Sequence, residues 1–186
     1  MIMGGTRLLR IGVFIASFFL LIQNGNSQEI GFSLNSFVSP SYNLIYEPGM
    51  NGGGISIFYN RQKFKRLNLS LSGEYAMSTW GHQTFVGLGI NRTWVEWERF
   101  GLNTYGHLLN GLAFYKPKPL YVFGVDTRIV ANFYIRQKLK VFIGTGIRYT
   151  LCPGYSKYGL IETSLDIPLE IGMKYDFRLK HYSPKP

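Results

Sequence analysis

The chain has 186 residues, 20 of them basic and 10 acidic, for a net charge of +10; 46% are apolar and one is cysteine. The length suits one domain, and a single cysteine excludes an intramolecular disulfide framework. Beyond Ile22 no apolar run is long enough for a spanning helix, so any membrane span has to be built from strands closed into a barrel.

Met1 to Arg10 carries Arg7 and Arg10 and no acid, and "IGVFIASFFLLI" (Ile11–Ile22) and "QNGNSQE" follow. A basic start, a short apolar middle and a small-residue exit predict a signal peptide over residues 1–27, cut after Ser27. The apolar block is shorter than the ~20 residues a spanning helix needs. Cleavage removes two basic residues and no acidic one, so the mature chain stays basic. The remaining expected parts are a barrel domain over 28–177 and a short tail over 178–186.

The mature chain shows period-two alternation throughout, separated by turn residues. "EIGFSLNSFV" (Glu29–Val38) aligns Ile30, Phe32 and Leu34. "GISIFYN" (Gly54–Asn60) aligns Ile55, Ile57 and Tyr59. "LNLSLSGEY" (Leu67–Tyr75) sets Leu67, Leu69, Leu71 and Tyr75 against Asn68, Ser70, Ser72 and Glu74. "TFVGLGINRTW" (Thr84–Trp94) sets Val86, Leu88 and Ile90 against Gly87, Gly89 and Asn91. "TYGHLLNGLAFY" (Thr104–Tyr115) fits two phases; the favoured one puts Leu108, Leu112 and Phe114 on the apolar face and His107, Gly111 and Ala113 opposite. "YVFGVDTRIVANFY" (Tyr121–Tyr134) sets Tyr121, Phe123, Val125, Ile129 and Phe133 against Gly124, Asp126, Arg128 and Asn132. "KVFIGTGIRYT" (Lys140–Thr150) sets Val141, Ile143, Ile147 and Tyr149 against Gly144, Gly146 and Arg148. "PLEIGMKYDF" (Pro168–Phe177) continues from Ile167 with Leu169, Ile171, Met173, Tyr175 and Phe177 alternating with Pro168, Glu170, Gly172, Lys174 and Asp176. "FYNRQKFK" (Phe58–Lys65) resembles "FYIRQKLK" (Phe133–Lys140), but Phe58 and Phe133 fall on opposite faces, which favours two similar basic turns over a duplicated hairpin.

The polar face is unlike that of a water-soluble barrel, which is dense in Lys and Glu. It is mostly Gly, Ser, Asn and Thr, with Glu74, Asp126 and Glu170 balanced by Arg128, Arg148 and Lys174. Such a face suits the narrow interior of an eight-strand barrel, where charges pair across a filled lumen. The bulky apolar face is flanked by Tyr59, Tyr75, Trp80, Trp94, Tyr115, Tyr121, Tyr134, Tyr149 and Phe177, an aromatic girdle of the kind a membrane interface favours. The expected fold is therefore all-β, an eight-stranded antiparallel up-and-down transmembrane β-barrel. The connections after the second, fourth and sixth strands, "RQKFKR", "VEWERFGLN" and "RQK", are mostly short and charged. Those after the odd strands, "SPSYNLIYEPGMNGG", "AMSTWGHQ", "KPKPL" and "LCPGYSKYG", are richer in Gly, Pro, Ser and Tyr. Cys152 falls in the last of these, as a free thiol in a loop.

The chain resembles the small outer-membrane barrels of the OmpA/OmpX type through Phe177. The closest match is the closing strand, where Glu170, Gly172, Tyr175 and Phe177 occupy the family's terminal pattern. The resemblance implies an outer-membrane location in a Gram-negative cell, and that this segment is read by the outer-membrane insertion machinery. In the family that signal often ends the chain, whereas here "RLKHYSPKP" follows.

Arg61, Lys63, Lys65, Arg66, Arg136, Lys138, Lys140, Arg178 and Lys180 map to one rim, the periplasmic one. That placement points to anionic head groups of outer-membrane lipids rather than nucleic acid. An envelope or extracellular partner is expected through outer loops such as Ser39–Gly53. No metal cluster, cofactor motif or catalytic constellation is found, so no cofactor and no enzymatic activity are expected. Two alternatives remain open. One is a lipid-directed hydrolase or acyltransferase using His107, or His181 with Ser183; the other is a soluble periplasmic ligand carrier.

Overall fold

In the computed structural model, residues 28–38, 52–64, 66–78, 81–114, 119–153 and 162–177 are described. They form eight strands: β1 (Gln28–Val38), β2 (Gly52–Phe64), β3 (Leu67–Ser78), β4 (Gly81–Glu96), β5 (Phe100–Phe114), β6 (Leu120–Arg136), β7 (Leu139–Cys152) and β8 (Glu162–Asp176). Each strand pairs antiparallel with its sequence neighbour, and β1 pairs with β8 to close the cylinder. The signal-peptide region, the loop over 39–51, Trp80, Tyr115, His181 and Ser183 lie outside the described residues.

The alternation dictates this result. Bulky apolar residues, many of them β-branched or aromatic, recur at alternate positions, and a pleated strand sends them to one face. Ile30, Phe32 and Leu34 of β1 point out, while Ser33, Asn35 and Phe37 are buried inside. β5 takes the favoured phase, with Leu108 and Leu112 outside and His107, Gly111 and Ala113 on the inner side. Phe58 is buried inside and Phe133 is exposed outside, so the two similar basic segments are placed on opposite faces.

The strands run longer than the alternation alone marks. The β4–β5 connection is three residues, 97–99, because Val95 pairs with Leu102 and Glu96 with Gly101 past a bulge between Thr93 and Val95. A single extra residue restores the register, which pattern reading cannot see. Comparable bulges lie between Gln62 and Phe64 and between Tyr134 and Arg136, so β2, β4 and β6 each bulge just before the turn that follows. The β3–β4 connection shrinks likewise to residues 79–80, since Ala76–Ser78 pair with Gly81–Gln83. Cys152 is not in a loop: it is the last residue of β7, buried inside against Phe85, Leu109, Ala113 and Val122.

The end carrying the starts of the odd strands and these three turns is called here the turn end, the opposite one the loop end. Glycine makes room in the middle of the cylinder. At Gly146 a Cβ would lie 1.9 Å from the Thr127 carbonyl oxygen and 2.7 Å from Arg128 Cα. Any side chain there would push β6 and β7 apart beside the buried Arg128.

Candidate functional site

The interior is layered, and the inward positions of β6 read the layers in order: Val122, then Asp126 and Arg128, then Val130, then Asn132. β7 reads them backwards, through Lys140, Phe142, Arg148 and Cys152.

Nearest the loop end is an apolar layer of Phe85, Leu109, Ala113, Val122 and Cys152. Below it lies a charge network. The Arg148 guanidinium meets Glu74 through two hydrogen bonds, 2.5 Å from Nη1 and 2.7 Å from Nη2, and Nη2 also donates to Asp126 at 2.8 Å. Arg128 meets three carboxylates: Asp126 at 2.6 Å, Glu170 at 2.9 Å and Glu74 at 3.2 Å. Asn35 and Ser56 complete the layer; Asn35 Nδ2 donates to Ser56 Oγ at 2.5 Å, and Ser56 Oγ to Glu74 at 3.2 Å. Bidentate arginine–carboxylate geometry of this kind fixes both partners in space, and all five ionic side chains are buried.

The next layer is aromatic, built from Phe58, Tyr105, Val130 and Phe142. Lys174 enters this layer and not the network above it. Its ammonium lies 4.3 Å from the Phe142 ring centroid and 4.9 Å from that of Tyr105, and donates to Tyr105 OH at 2.5 Å and to Asn132 Oδ1 at 2.7 Å. Among the described residues no carboxylate forms an ion pair with it, although it is only 1% exposed. Six predicted lumen residues thus separate into a connected group of five and a caged sixth.

At the turn end, Glu29 and Lys140 form a buried ion pair at 2.5 Å, beside a ladder in which Asn132 donates to Asn103 and Asn103 to Asn91. This corrects the expectation for Lys140: it belongs to the interior, not to the outward basic rim. The phase of β7 forces it inward, since it is opposite Tyr134 and Lys174 in the register. Tyr134 is corrected with it. It lies on the inner phase, its hydroxyl bonded to Glu96 and its ring 4.8 Å from the Lys140 ammonium, so it is no part of an outward girdle.

Tyr75, Trp94, Tyr121, Tyr149 and Phe177 are exposed outside. Tyr59 shares the outward phase of Ile55 and Ile57 but is 8% exposed. Of the closing-strand pattern, Glu170 and Gly172 face in, and Tyr175 and Phe177 face out with their rings 4.9 Å apart. Between the two ends the outer face is apolar on all eight strands, with Leu108 at 68%, Leu88 at 62% and Ile171 at 60% exposure.

His107 faces inward, with Nε2 2.8 Å from Ser70 Oγ. Sequence reading did not find this pair, because it joins two strands 37 residues apart and has no local signature. A nucleophile site also needs a group that orients the histidine. Among the described residues no carboxylate hydrogen-bonds to His107, and Asp126, its cross-strand neighbour, is held by two arginines.

A closed antiparallel cylinder of eight strands, with its charges inside and its apolar residues outside, decides the class of fold. It is the fold of the small eight-stranded outer-membrane β-barrels. Neisserial surface protein A matches with a TM-score of 0.56 at 9% identity, over 80% of this chain and 95% of its own. The N-terminal β-barrel domain of Pseudomonas aeruginosa OprF matches at 0.54 and 11% identity, over 83% and 100%. Ail, the attachment invasion locus protein of Yersinia pestis, matches at 0.51 and 12% identity, over 83% and 100%. No protein-family model and no curated protein matches the chain. At these identities the likeness is one of fold.

Proposed function

We propose that this protein is an outer-membrane barrel of a Gram-negative envelope, with its turn end in the periplasm, a side-chain-filled lumen, and a structural or surface-interaction role rather than an enzymatic one. One observation carries the reading. Between the two ends every strand exposes large apolar side chains outward, so an apolar belt runs around the whole barrel, where soluble monomers expose at most a patch of a few hundred Å². In hydrocarbon that surface is at rest, and the closed backbone ladder leaves no strand edge unpaired. The soluble-carrier alternative would expose all of it to water.

The filled lumen supports a non-conducting barrel. The cavity among Ser72, Glu74, His107, Arg128 and Glu170 measures about 30 Å³, room for roughly one or two waters. The purified protein is expected to fractionate with outer membranes, to migrate differently on gels with and without heating, and to give no steady conductance in planar bilayers. Recovery in the soluble periplasmic fraction would refute the membrane assignment, and a large steady current would refute the filled lumen.

The Ser70–His107 contact gives the lipid-hydrolase alternative its only geometric support among the described residues. Both side chains point into the lumen, away from the lipid that such an enzyme would need to reach. Under the structural reading, His107→Ala leaves lipid composition unchanged when the protein is expressed in a barrel-deficient host. Acyl-chain release by the wild type that disappears in this variant would establish the enzyme instead.

A further inference from the structure

Among the described residues the wall of the barrel is interrupted at one place away from its turns. Between β7 and β8, Thr145 pairs with Leu169 and Arg148 with Asp166 on one unchanged register, but Gly146 and Ile147 are not paired with Pro168 and Ile167 between them. Each of the four keeps its other neighbour: Gly146 and Ile147 pair with β6, and Ile167 and Pro168 with β1. The other breaks in pairing are the bulges of β2, β4 and β6, where the register shifts beside a turn. The β1–β8 closure, by contrast, is paired without a gap from Glu29 to Val38.

Pro168 is the cause. In an antiparallel pair, residues at every second position exchange both of their backbone bonds. Pro168 has no N–H to give, so the Gly146 carbonyl lacks the donor that the ladder supplies to its neighbours. The Pro168 side chain is fully buried on the inner face, so the break lies in the wall itself and not at a frayed end. An ion pair spans the same place from inside. Arg128 of β6 is opposite Gly146, and its Nη1 donates to Glu170 Oε2 of β8 at 2.9 Å. This bond passes over the inner face of β7, where glycines keep its path clear. A Cβ on Gly146 would lie 2.7 Å from Arg128 Cα, and one on Gly144 would lie 2.6 Å from Glu170 Oε1. The bridge therefore ties β8 to β6, across β7, beside the missing rung.

We propose that β7 and β8 meet in a weak seam at Gly146–Pro168, held shut by the Arg128–Glu170 ion pair, and that the barrel opens locally here before it opens at the β1–β8 closure. A wall with every rung in place loses a two-bond pair wherever it parts, whereas this rung has only one bond to lose. The ion pair replaces the missing bond with a contact made inside the lumen. The seam thereby couples the charge network to the wall: breaking one ionic contact inside loosens the strands outside.

The test is backbone amide hydrogen exchange, read by NMR on the full mature protein in phosphatidylcholine nanodiscs. Gly146 can still donate to the Pro168 carbonyl, so its amide proton reports on the half-bonded rung; Gly144 and Arg148 report on the intact rungs of the same seam. One backbone hydrogen bond is worth about a factor of ten. The Gly146 amide should therefore exchange about tenfold faster than those of Gly144 and Arg148, and faster than the mid-strand amides of β1. Pro168→Val supplies the missing donor and should bring Gly146 down to the rate of its neighbours. Glu170→Gln removes the staple and should speed Gly146 further, leaving the β1 amides unchanged. Heat-dependent gel migration verifies that each variant is folded, and Pro168→Ala serves in place of P168V if the larger side chain prevents folding. Equal exchange of Gly146, Gly144 and Arg148 in the wild type would overturn the seam, as would fast exchange that persists once the proline is replaced. Equal acceleration of the β1 amides and Gly146 by E170Q would overturn the role of the ion pair.

Discussion

Replacing Arg128 by Met should destabilise the barrel by about 3–5 kcal/mol, the cost of removing one partner from a buried ionic cluster. Arg128 touches Glu74, Asp126 and Glu170. Without it, three buried carboxylates face the single guanidinium of Arg148, and Glu170 loses the only partner the described residues give it. The same substitution at Lys174 should behave differently. Among the described residues its ammonium has no ion-pair partner and is surrounded by Phe58, Tyr105 and Phe142, so a Met side chain suits the cage. The gain in desolvation offsets the lost bonds to Tyr105 and Asn132, and the net change should stay within about 1 kcal/mol. Urea unfolding in detergent micelles or lipid vesicles, followed by tryptophan fluorescence, measures both. Equal losses for the two variants would contradict the division of the lumen into a charged layer and an aromatic one.

Leu88→Arg should cost about 2–4 kcal/mol in a bilayer, the range for a basic residue on a lipid-facing position near the midplane. Leu88 stands in the middle of β4, opposite Leu71 and Leu108 in the register and 62% exposed. The sign of this change separates the two environments the outer face could meet. A surface leucine in water gives way to arginine at almost no cost, whereas in hydrocarbon the charge must drag water with it or remain unsolvated. Unfolding measured in phosphatidylcholine vesicles decides the matter: an unchanged midpoint would mean that this face is not buried in lipid.

Strand existence and facing were open to sequence reading because a barrel of this size has only two environments, and a two-state pattern is what alternation records. Asp126, Arg128, Arg148 and Glu170 stand at inward positions of unambiguous strands, so their shared interior followed from parity alone. Who touches whom did not follow. Lys174 has the same parity and the same charge as Arg128, yet it lies one layer lower, because β8 enters the cylinder with a stagger that only the register defines. Parity also failed beside the turns. Bulges at the ends of β2, β4 and β6 add one residue each, which lengthened the strands and concealed the short β4–β5 turn. Lys140 was grouped with its basic neighbours in the chain, although Glu29, its true partner, is supplied by a strand 111 residues away.

The pairing of β1 with β8 joins opposite ends of the described chain, Glu29 beside Asp176 and Val38 beside Ile167. Until the eighth strand is in place, the first and seventh each carry a full row of bare amide and carbonyl groups. Hydrocarbon charges several kcal/mol for every such group, so a sheet of seven strands has no resting place inside a bilayer. In a bilayer, curling up and entering would therefore be one concerted event, completed only when β8 pairs with β1.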